Sequence, residues 1–201
     1  MKKFTDLTLE QYLNELASQE PVPGGGSVSA YVVALGMGLT QMVGRIALRR
    51  KMKSGLSAQE QREEHTRVAT IQGIVDSLEK TRRDAFQVVN LDPQVYGQVQ
   101  AAWTDPAKLE DALENSFRLQ ADLAFLAVMG RDWNVAMADM VSGSIKNDLI
   151  VSAGLLDAGF QGAYHTALIN VKYMKDPERK ARAEKGLAEV KMRFDDKSKP
   201  S

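Results

Sequence analysis

The sequence contains no cysteine and only two histidines among its 201 residues. The lack of cysteine excludes a disulfide framework and thiolate catalysis, and it suits a reducing compartment such as the cytoplasm. An excess of one charge is missing too, because 26 basic side chains balance 26 acidic ones. A chain without net charge has no overall field that attracts nucleic acid or an anionic membrane. Any charged ligand is therefore expected to be bound by local groups.

No apolar run is long enough to predict a membrane span. The run over residues 28–43 falls short of the roughly 20 residues that a span needs, and it is interrupted by Ser29, Thr40 and Gln41. The N-terminal segment begins with two lysines, but no apolar stretch follows them, so a signal peptide is not predicted. We expect a cytoplasmic protein whose most apolar helix lies in the core of a soluble bundle.

Apolar residues recur with helical spacing along most of the chain, and no segment alternates as a half-buried strand does. The pattern predicts an all-α, single-domain bundle of about six or seven helices, with orthogonal or up-and-down packing. The domain is expected to cover residues 1–194, followed by a polar tail over residues 195–201.

Capping residues and prolines divide this pattern into separate helices. Thr8 opens a capping box before the first helix, and Ser27 is the predicted N-cap of the second. The Leu-Asp-Pro turn at residues 91–93 predicts the end of the third helix, because proline removes a helical hydrogen bond. Two Asp-Pro pairs, at residues 105–106 and 176–177, predict the starts of later helices.

The segment Pro21-Val22-Pro23-Gly24-Gly25-Gly26-Ser27 directly precedes the most apolar helix. Glycines allow the backbone to approach a ligand closely, and a helix N-terminus attracts anions and polarised oxygens. The segment lacks the Gly-Lys-Ser/Thr ending of a phosphate-binding loop and the third glycine of a dinucleotide fingerprint. Two interpretations remain open, namely a ligand-binding segment or a tight turn that packs two helices together.

A second candidate surface is a stripe of small and polar side chains on the helix that begins near Asp148. At 100° per residue, its members fall within about 40° of one line. They are Asp148, Ser152, Gly159, Gly162, Thr166 and Asn170. Close helix packing is the favoured interpretation for the two glycines. Asp148 is either a solvated first-turn acid or a functional carboxylate.

Distance limits how these residues can act together. A helix rises about 1.5 Å per residue, which places Asp148 and Asn170 about 33 Å apart and Ser27 and Lys51 about 36 Å apart. A site that uses both ends must draw one end from another subunit or hold an elongated ligand. Arg50 and Lys51 either receive ligand carboxylates or complement a helix dipole.

The remaining polar and aromatic residues predict no further site. His65 lies in a charged string and is expected to be solvated. His165 lies about 100° from the Asp148 line, which favours a packed or surface histidine. Trp103 and Trp133 are expected in the core. No spacing of histidine and acidic residues is typical of a metal site.

Pro21-x-Pro23-Gly24-Gly25-Gly26-Ser27, the small-residue helix after it and the basic cluster at residues 49–53 resemble the cyclodeaminase/methenyltetrahydrofolate cyclohydrolase family. The stretch over residues 148–170 is similar to a second conserved segment of that family. The resemblance implies an all-α homodimer that acts on one-carbon forms of tetrahydrofolate without a metal or prosthetic group. It implies a catalytic role for Asp148. The substrate-binding residues that it implies are Pro23, Gly24, Gly25, Gly26, Ser27, Arg50, Lys51, Ser152 and Asn170.

Two reactions fit this resemblance. Closure of 5-formimino-tetrahydrofolate with loss of ammonia is the first expectation, and hydrolysis of the methenyl form is the second. Departures from the family pattern keep open a third possibility, a non-catalytic helical dimer that binds a folate or a protein. These departures are basic residues at Lys80 and Arg82, the bulky Leu149 after the acid, and Thr166 in place of an asparagine.

Overall fold

The computed structural model describes residues 2–50 and 54–196. Every regular element in these ranges is helical, which confirms the predicted all-α fold of six or seven helices. A short 3-10 helix at Phe4–Asp6 precedes six α-helices. These are α1 (Leu9–Leu16), α2 (Gly25–Leu48), α3 (Ala58–Ala102), α4 (Pro106–Met140), α5 (Lys146–Tyr173) and α6 (Pro177–Asp195).

Local capping chemistry sets most helix starts as predicted. Thr8 forms a complete capping box at α1, and Asp105 and Asp176 cap α4 and α6 ahead of a proline in the first turn. The prediction for α2 is wrong, because Gly24 is its N-cap and Ser27 lies inside the helix. Ser27 lies in the first turn, where its N–H donates to Asp92 and its hydroxyl donates to the Val89 carbonyl of α3.

That bond explains why α3 continues through Pro93, where the sequence predicted a break. Proline lacks the N–H group that would bond the carbonyl of Val89, four residues earlier. The Ser27 hydroxyl donates to this carbonyl oxygen at 3.0 Å. The lost backbone hydrogen bond is thereby replaced from α2, and α3 extends over 45 residues.

Helix α2 lies in the centre of the fold between α3 and α5. A Cβ atom on Gly159 would lie 2.5 Å from a methyl group of Val33, and one on Gly162 would lie 2.1 Å from the hydroxyl of Ser29. These pairs show that α2 and α5 run antiparallel at close distance. The interpretation of Gly159 and Gly162 as helix-packing residues is confirmed.

Among the described residues, α2 is also the one helix long and apolar enough to cross a bilayer by length and composition. Its 24 residues exceed the apolar run of residues 28–43, which was too short to predict a membrane span. Half of its most apolar window is buried inside the protein. Its contacts with α3 and α5 are those of a core helix.

Candidate functional site

The glycine segment forms the first turn of α2, and the structure gives its glycines different roles. Gly25 is exposed, whereas Gly26 is buried. A Cβ atom on Gly26 would lie 2.1 Å from Oδ1 of Asp92, but one on Gly25 would meet nothing closer than Oγ1 of Thr166, at 4.0 Å. Packing therefore requires glycine at position 26, while Gly25 leaves its backbone accessible.

A carboxylate from α3 occupies the buried side of this first turn. Oδ2 of Asp92 accepts a hydrogen bond from the Ser27 N–H at 3.0 Å, and Oδ1 accepts one from Nε2 of Gln120 at 2.7 Å. Burial raises the pKa of Asp92, because its loss of hydration outweighs these two hydrogen bonds. Asp92 was not predicted as a site residue, since an Asp-Pro pair is typical of a helix boundary.

We expect Asp92→Asn to keep the fold and to change its dependence on pH. Oε1 of Gln120 is buried without a hydrogen-bond partner among the described residues. A rotated Gln120 amide could accept from an asparagine at position 92, whose oxygen would keep the Ser27 contact. The variant should match the wild type to within about 1 kcal/mol at pH 4.

The sign of the pH effect follows from the raised pKa of Asp92. The folded wild type binds this proton more tightly than the unfolded chain, so its stability falls as pH rises above the ordinary aspartate pKa of 3.8 and through the raised value. The asparagine variant lacks this loss, so its free energy of unfolding should rise relative to that of the wild type towards pH 8. Urea unfolding between pH 4 and 8 measures the difference, and a difference that is constant with pH would refute the explanation.

One side chain of α5 lies beside the exposed Gly25, and a second follows it on the same helix. Thr166 faces Gly25, and its hydroxyl donates to the Gly162 carbonyl at 2.8 Å. Asn170 lies one turn further along, where its amide donates to the Thr166 carbonyl at 2.9 Å. We call residues 24–27 together with Thr166 and Asn170 the glycine end. Pro23 is buried directly before it, after a cis peptide bond.

Ser152 lies in the interior and not at the glycine end. It is fully buried, its hydroxyl donates to the Gly36 carbonyl at 2.7 Å, and it lies 2.8 Å from the hydroxyl of Thr40. Asn134 of α4 donates to the same Thr40 hydroxyl at 2.9 Å. This network joins α2, α4 and α5 and gives Ser152 a structural role, while its contact with substrate stays a prediction.

Arg50 follows the C-terminus of α2 and Asp148 lies at the N-terminus of α5, both at the opposite end of the α2–α5 pair, which we call the acid end. Asp148 is half-buried in the first turn of α5, and its carboxylate makes no hydrogen bond or ion pair within residues 2–50 and 54–196. Arg50 donates to the Ser142 carbonyl at 3.1 Å, in the loop before α5. Lys51, also predicted to bind substrate, lies outside the described residues. Within one subunit, the acid end and the glycine end therefore lie at opposite ends of the α2–α5 pair.

The basic stretch of α3 surrounds an ionised glutamate. Glu79 accepts hydrogen bonds from Nε2 of Gln41 and from Arg45, each at 2.8 Å, and Arg83 pairs with it at 2.5 Å. The bond from Gln41, followed by that from Arg83, lowers the pKa of Glu79 to about 2. Arg82 bonds the Gln41 amide oxygen at 3.2 Å. Arg82, one of the departures from the family pattern, is thus partly balanced within α2 and α3.

The remaining candidates divide into core and surface. His65 and His165 are exposed, and Trp133 packs against the core, as expected. Trp103 is 53% exposed, with its ring 5.4 Å from that of Tyr173, so its predicted core position is wrong. Among the described residues, no group of three histidine or acidic side chains could hold a metal ion.

Similarity to known protein sequences points to one family. The family model for formiminotransferase-cyclodeaminase matches residues 8–189. The formimidoyltransferase-cyclodeaminase of Rattus norvegicus is 26% identical over 186 residues, which cover 87% of this chain and 32% of that protein. The Sus scrofa protein is 25% identical over 189 residues, covering 90% and 34%. This chain spans about a third of the length of the curated relatives it matches.

A solved structure shows the same fold. The crystal structure of formiminotetrahydrofolate cyclodeaminase from Thermotoga maritima matches with a TM-score of 0.84 and 22% sequence identity. The match covers 96% of this chain and 92% of that one. The two proteins therefore share one fold.

Proposed function

Because this chain belongs to the formiminotransferase-cyclodeaminase family, we propose that it closes 5-formimino-tetrahydrofolate to 5,10-methenyl-tetrahydrofolate with release of ammonia. We place this activity in a single folate-acting domain over residues 1–194, in the cytoplasm and without a metal or prosthetic group. The polar tail assigned to residues 195–201 lies outside the described residues from position 197 onward.

The exposed backbone of Gly25, at the N-terminus of α2, is the observation that carries this proposal. The first N–H groups of a helix have no partner inside the helix. The Ser27 N–H donates to Asp92, while the N–H groups of Gly25 and Gly26 lie before it in the first turn, at the glycine end. The nearby Asp92 carboxylate also opposes the binding of an anion. We therefore assign the glycine end to a neutral, polarised oxygen such as a pterin carbonyl, and the glutamate tail to Arg50 and Lys51.

The reaction requires positioning and proton transfer more than a protein nucleophile. N10 of the folate attacks the formimino carbon on N5, a C–N bond forms, and the proton from N10 must reach the nitrogen that leaves as ammonia. Asp148 is assigned to this transfer, because its carboxylate is not committed to any group in the described fold. Holding N10 against the carbon supplies the rest of the acceleration.

We propose that a homodimer completes the site. One face of α2 carries an apolar line with alternating spacings of four and three residues, the pattern of helix pairing. Leu35, Met42 and Ile46 on this line are 50%, 38% and 39% exposed. The full line is Val28, Val32, Leu35, Leu39, Met42 and Ile46. Antiparallel pairing of two α2 helices would bring the glycine end of one subunit to the acid end of its partner.

Leu35→Glu is expected to dissociate this dimer and to abolish turnover while keeping the helical circular dichroism spectrum. Each charge would be placed in the centre of an apolar contact, at a cost of several kcal/mol per dimer. Sedimentation velocity measures the assembly. Leu13→Glu is the control, because Leu13 is 51% exposed on α1 and outside the α2 line. The proposal would be overturned if the wild type sediments as a monomer, or if the Leu35→Glu variant remains dimeric and active.

The activity is tested directly by supplying 5-formimino-tetrahydrofolate and following methenyl absorbance and ammonia together. Equal amounts of both products support cyclodeamination. Loss of methenyl absorbance from added methenyl-tetrahydrofolate, with no closure of the formimino form, would assign the hydrolysis instead. If neither occurs, thermal unfolding with 5-formyl-tetrahydrofolate distinguishes a folate-binding protein, since ligand at 100 times its Kd adds about 2.7 kcal/mol.

A further inference from the structure

We propose that a cavity between α4, α5 and α6 is a second small-molecule site, for an elongated apolar molecule with a protonated nitrogen at one end. The cavity has a volume of about 610 Å³. This falls within the range of about 300–1,000 Å³ typical of ligand sites. We call it the α6 cavity, and its walls include Val128, Val135, Leu149, Ala153 and Phe194.

The α6 cavity is long, and its walls are largely apolar. On α4 it extends from Val128 to Asp139, which corresponds to about 16 Å along the helix. Leu149 and Ala153 of α5 form the facing wall, and Phe194 of α6 contributes near one end. A molecule with two linked rings would match this length and would bury its apolar surface against aliphatic side chains.

The α6 cavity is separate from the proposed folate site. At 100° per residue, Ala153 lies about 140° around α5 from Asp148. Asp148 and Gly159 belong to the side of α5 that packs on α2, so the cavity opens on the other side. None of the predicted folate-binding residues lines it.

One end of the α6 cavity has an unsatisfied acceptor. Oδ1 of Asp157 is buried and has no hydrogen-bond partner within the described residues. Nε of Arg131 forms an ion pair with it at 3.5 Å but no hydrogen bond, while Nη1 of Arg131 donates to the Phe194 carbonyl at 2.7 Å and the guanidinium lies 4.6 Å from the Phe194 ring centre. Oδ1 of Asp157 can therefore accept a hydrogen bond from a ligand beside its ion pair with Arg131.

The charges at this end favour a cation as that donor. Three carboxylates line it, against two guanidinium groups. The last turn of α6 adds the partial negative charge of a helix C-terminus. The charges at this end are Asp132, Asp157, Asp196, Arg131 and Arg193, of which Arg193 pairs with Asp132 at 2.8 Å. Asp139 and Lys146 add one charge of each sign to the lining of the cavity. A protonated amine placed at Asp157 would gain both a charge-assisted hydrogen bond and this local field.

The proposal is tested with 4-phenylbenzylamine, an apolar rod of two rings that carries an ammonium group. We expect saturable binding by isothermal titration calorimetry, with at least tenfold weaker binding of 4-phenylbenzyl alcohol and of biphenyl-4-carboxylate. Asp157→Asn should weaken the amine at least tenfold and leave the alcohol unchanged. Ala153→Phe, which fills the middle of the cavity, should weaken the amine and the alcohol alike.

A control separates this site from charge effects elsewhere and from the folate site. Glu184→Gln, an exposed acid on α6, should bind the amine as the wild type does. Saturating 5-formyl-tetrahydrofolate should not displace the amine. Amine binding that survives Ala153→Phe, equal affinity for all three probes, or the absence of any binding would each overturn the proposal, whatever the result of the cyclodeaminase assay.

Discussion

Gly26→Ala is expected to lower the free energy of unfolding by about 2–5 kcal/mol, a large part of the stability of a single domain. The new methyl group would lie 2.1 Å from Oδ1 of Asp92 and 2.3 Å from Nε2 of Gln120. Neither side chain can yield cheaply, because both are buried and bonded to each other. Separating them would leave a buried carboxylate short of a hydrogen bond. Urea unfolding at pH 7 gives the value.

Gly25→Ala is the matched control, one residue away on the same turn. Its methyl group would have no neighbour closer than 4.0 Å among the described residues, so stability should change by no more than about 0.5 kcal/mol. Gly25→Val, which adds bulk at the same open position, should instead weaken 5-formyl-tetrahydrofolate without unfolding the protein. Equal destabilisation by the two alanine variants would show that the Asp92 contact does not govern this turn.

Asp148→Asn is expected to reduce turnover by about 10²–10⁴-fold, the usual contribution of a positioned acid or base. The effect on stability should remain below about 1 kcal/mol, since the carboxylate gains only from the dipole at the start of α5. The turnover number at saturating 5-formimino-tetrahydrofolate measures the first effect, and urea unfolding measures the second.

Two outcomes would contradict the role of Asp148 in different ways. Wild-type turnover in Asp148→Asn would remove this residue from the reaction. A loss of turnover accompanied by a comparable loss of stability or of dimer would make it a structural residue. Glu184→Gln serves again as the control, because it removes an exposed acid of the same charge on α6.

Helix starts were predictable from sequence where the deciding contact is local. Thr8, Asp105 and Asp176 each bond backbone groups within three residues, so the sequence pattern contains the whole interaction. The errors at Ser27 and Pro93 both involve contacts between α2 and α3, since the Ser27 N–H donates to Asp92 and the Ser27 hydroxyl donates to the Val89 carbonyl. A donor supplied from a distant helix leaves no periodic trace in the sequence.

The candidate site was predictable only in part. The family resemblance drawn from the glycine segment is confirmed by the match over residues 8–189. The roles of individual residues depend on which faces of the helices meet, and the helical pattern does not specify these faces. Asp92, which supports the glycine turn, was therefore missed, and the interior position of Ser152 was not predicted.

The hydrogen bond from Ser27 to the Val89 carbonyl, four residues before Pro93, also constrains how this sequence can change over time. Without the serine hydroxyl, a proline at position 93 would leave a buried carbonyl unpaired. The serine is thus a permissive residue, and a lineage could acquire the proline only in its presence. Loss of Ser27 should be tolerated more easily where residue 93 has regained an N–H group, so the two positions are expected to show epistasis despite their separation in the chain.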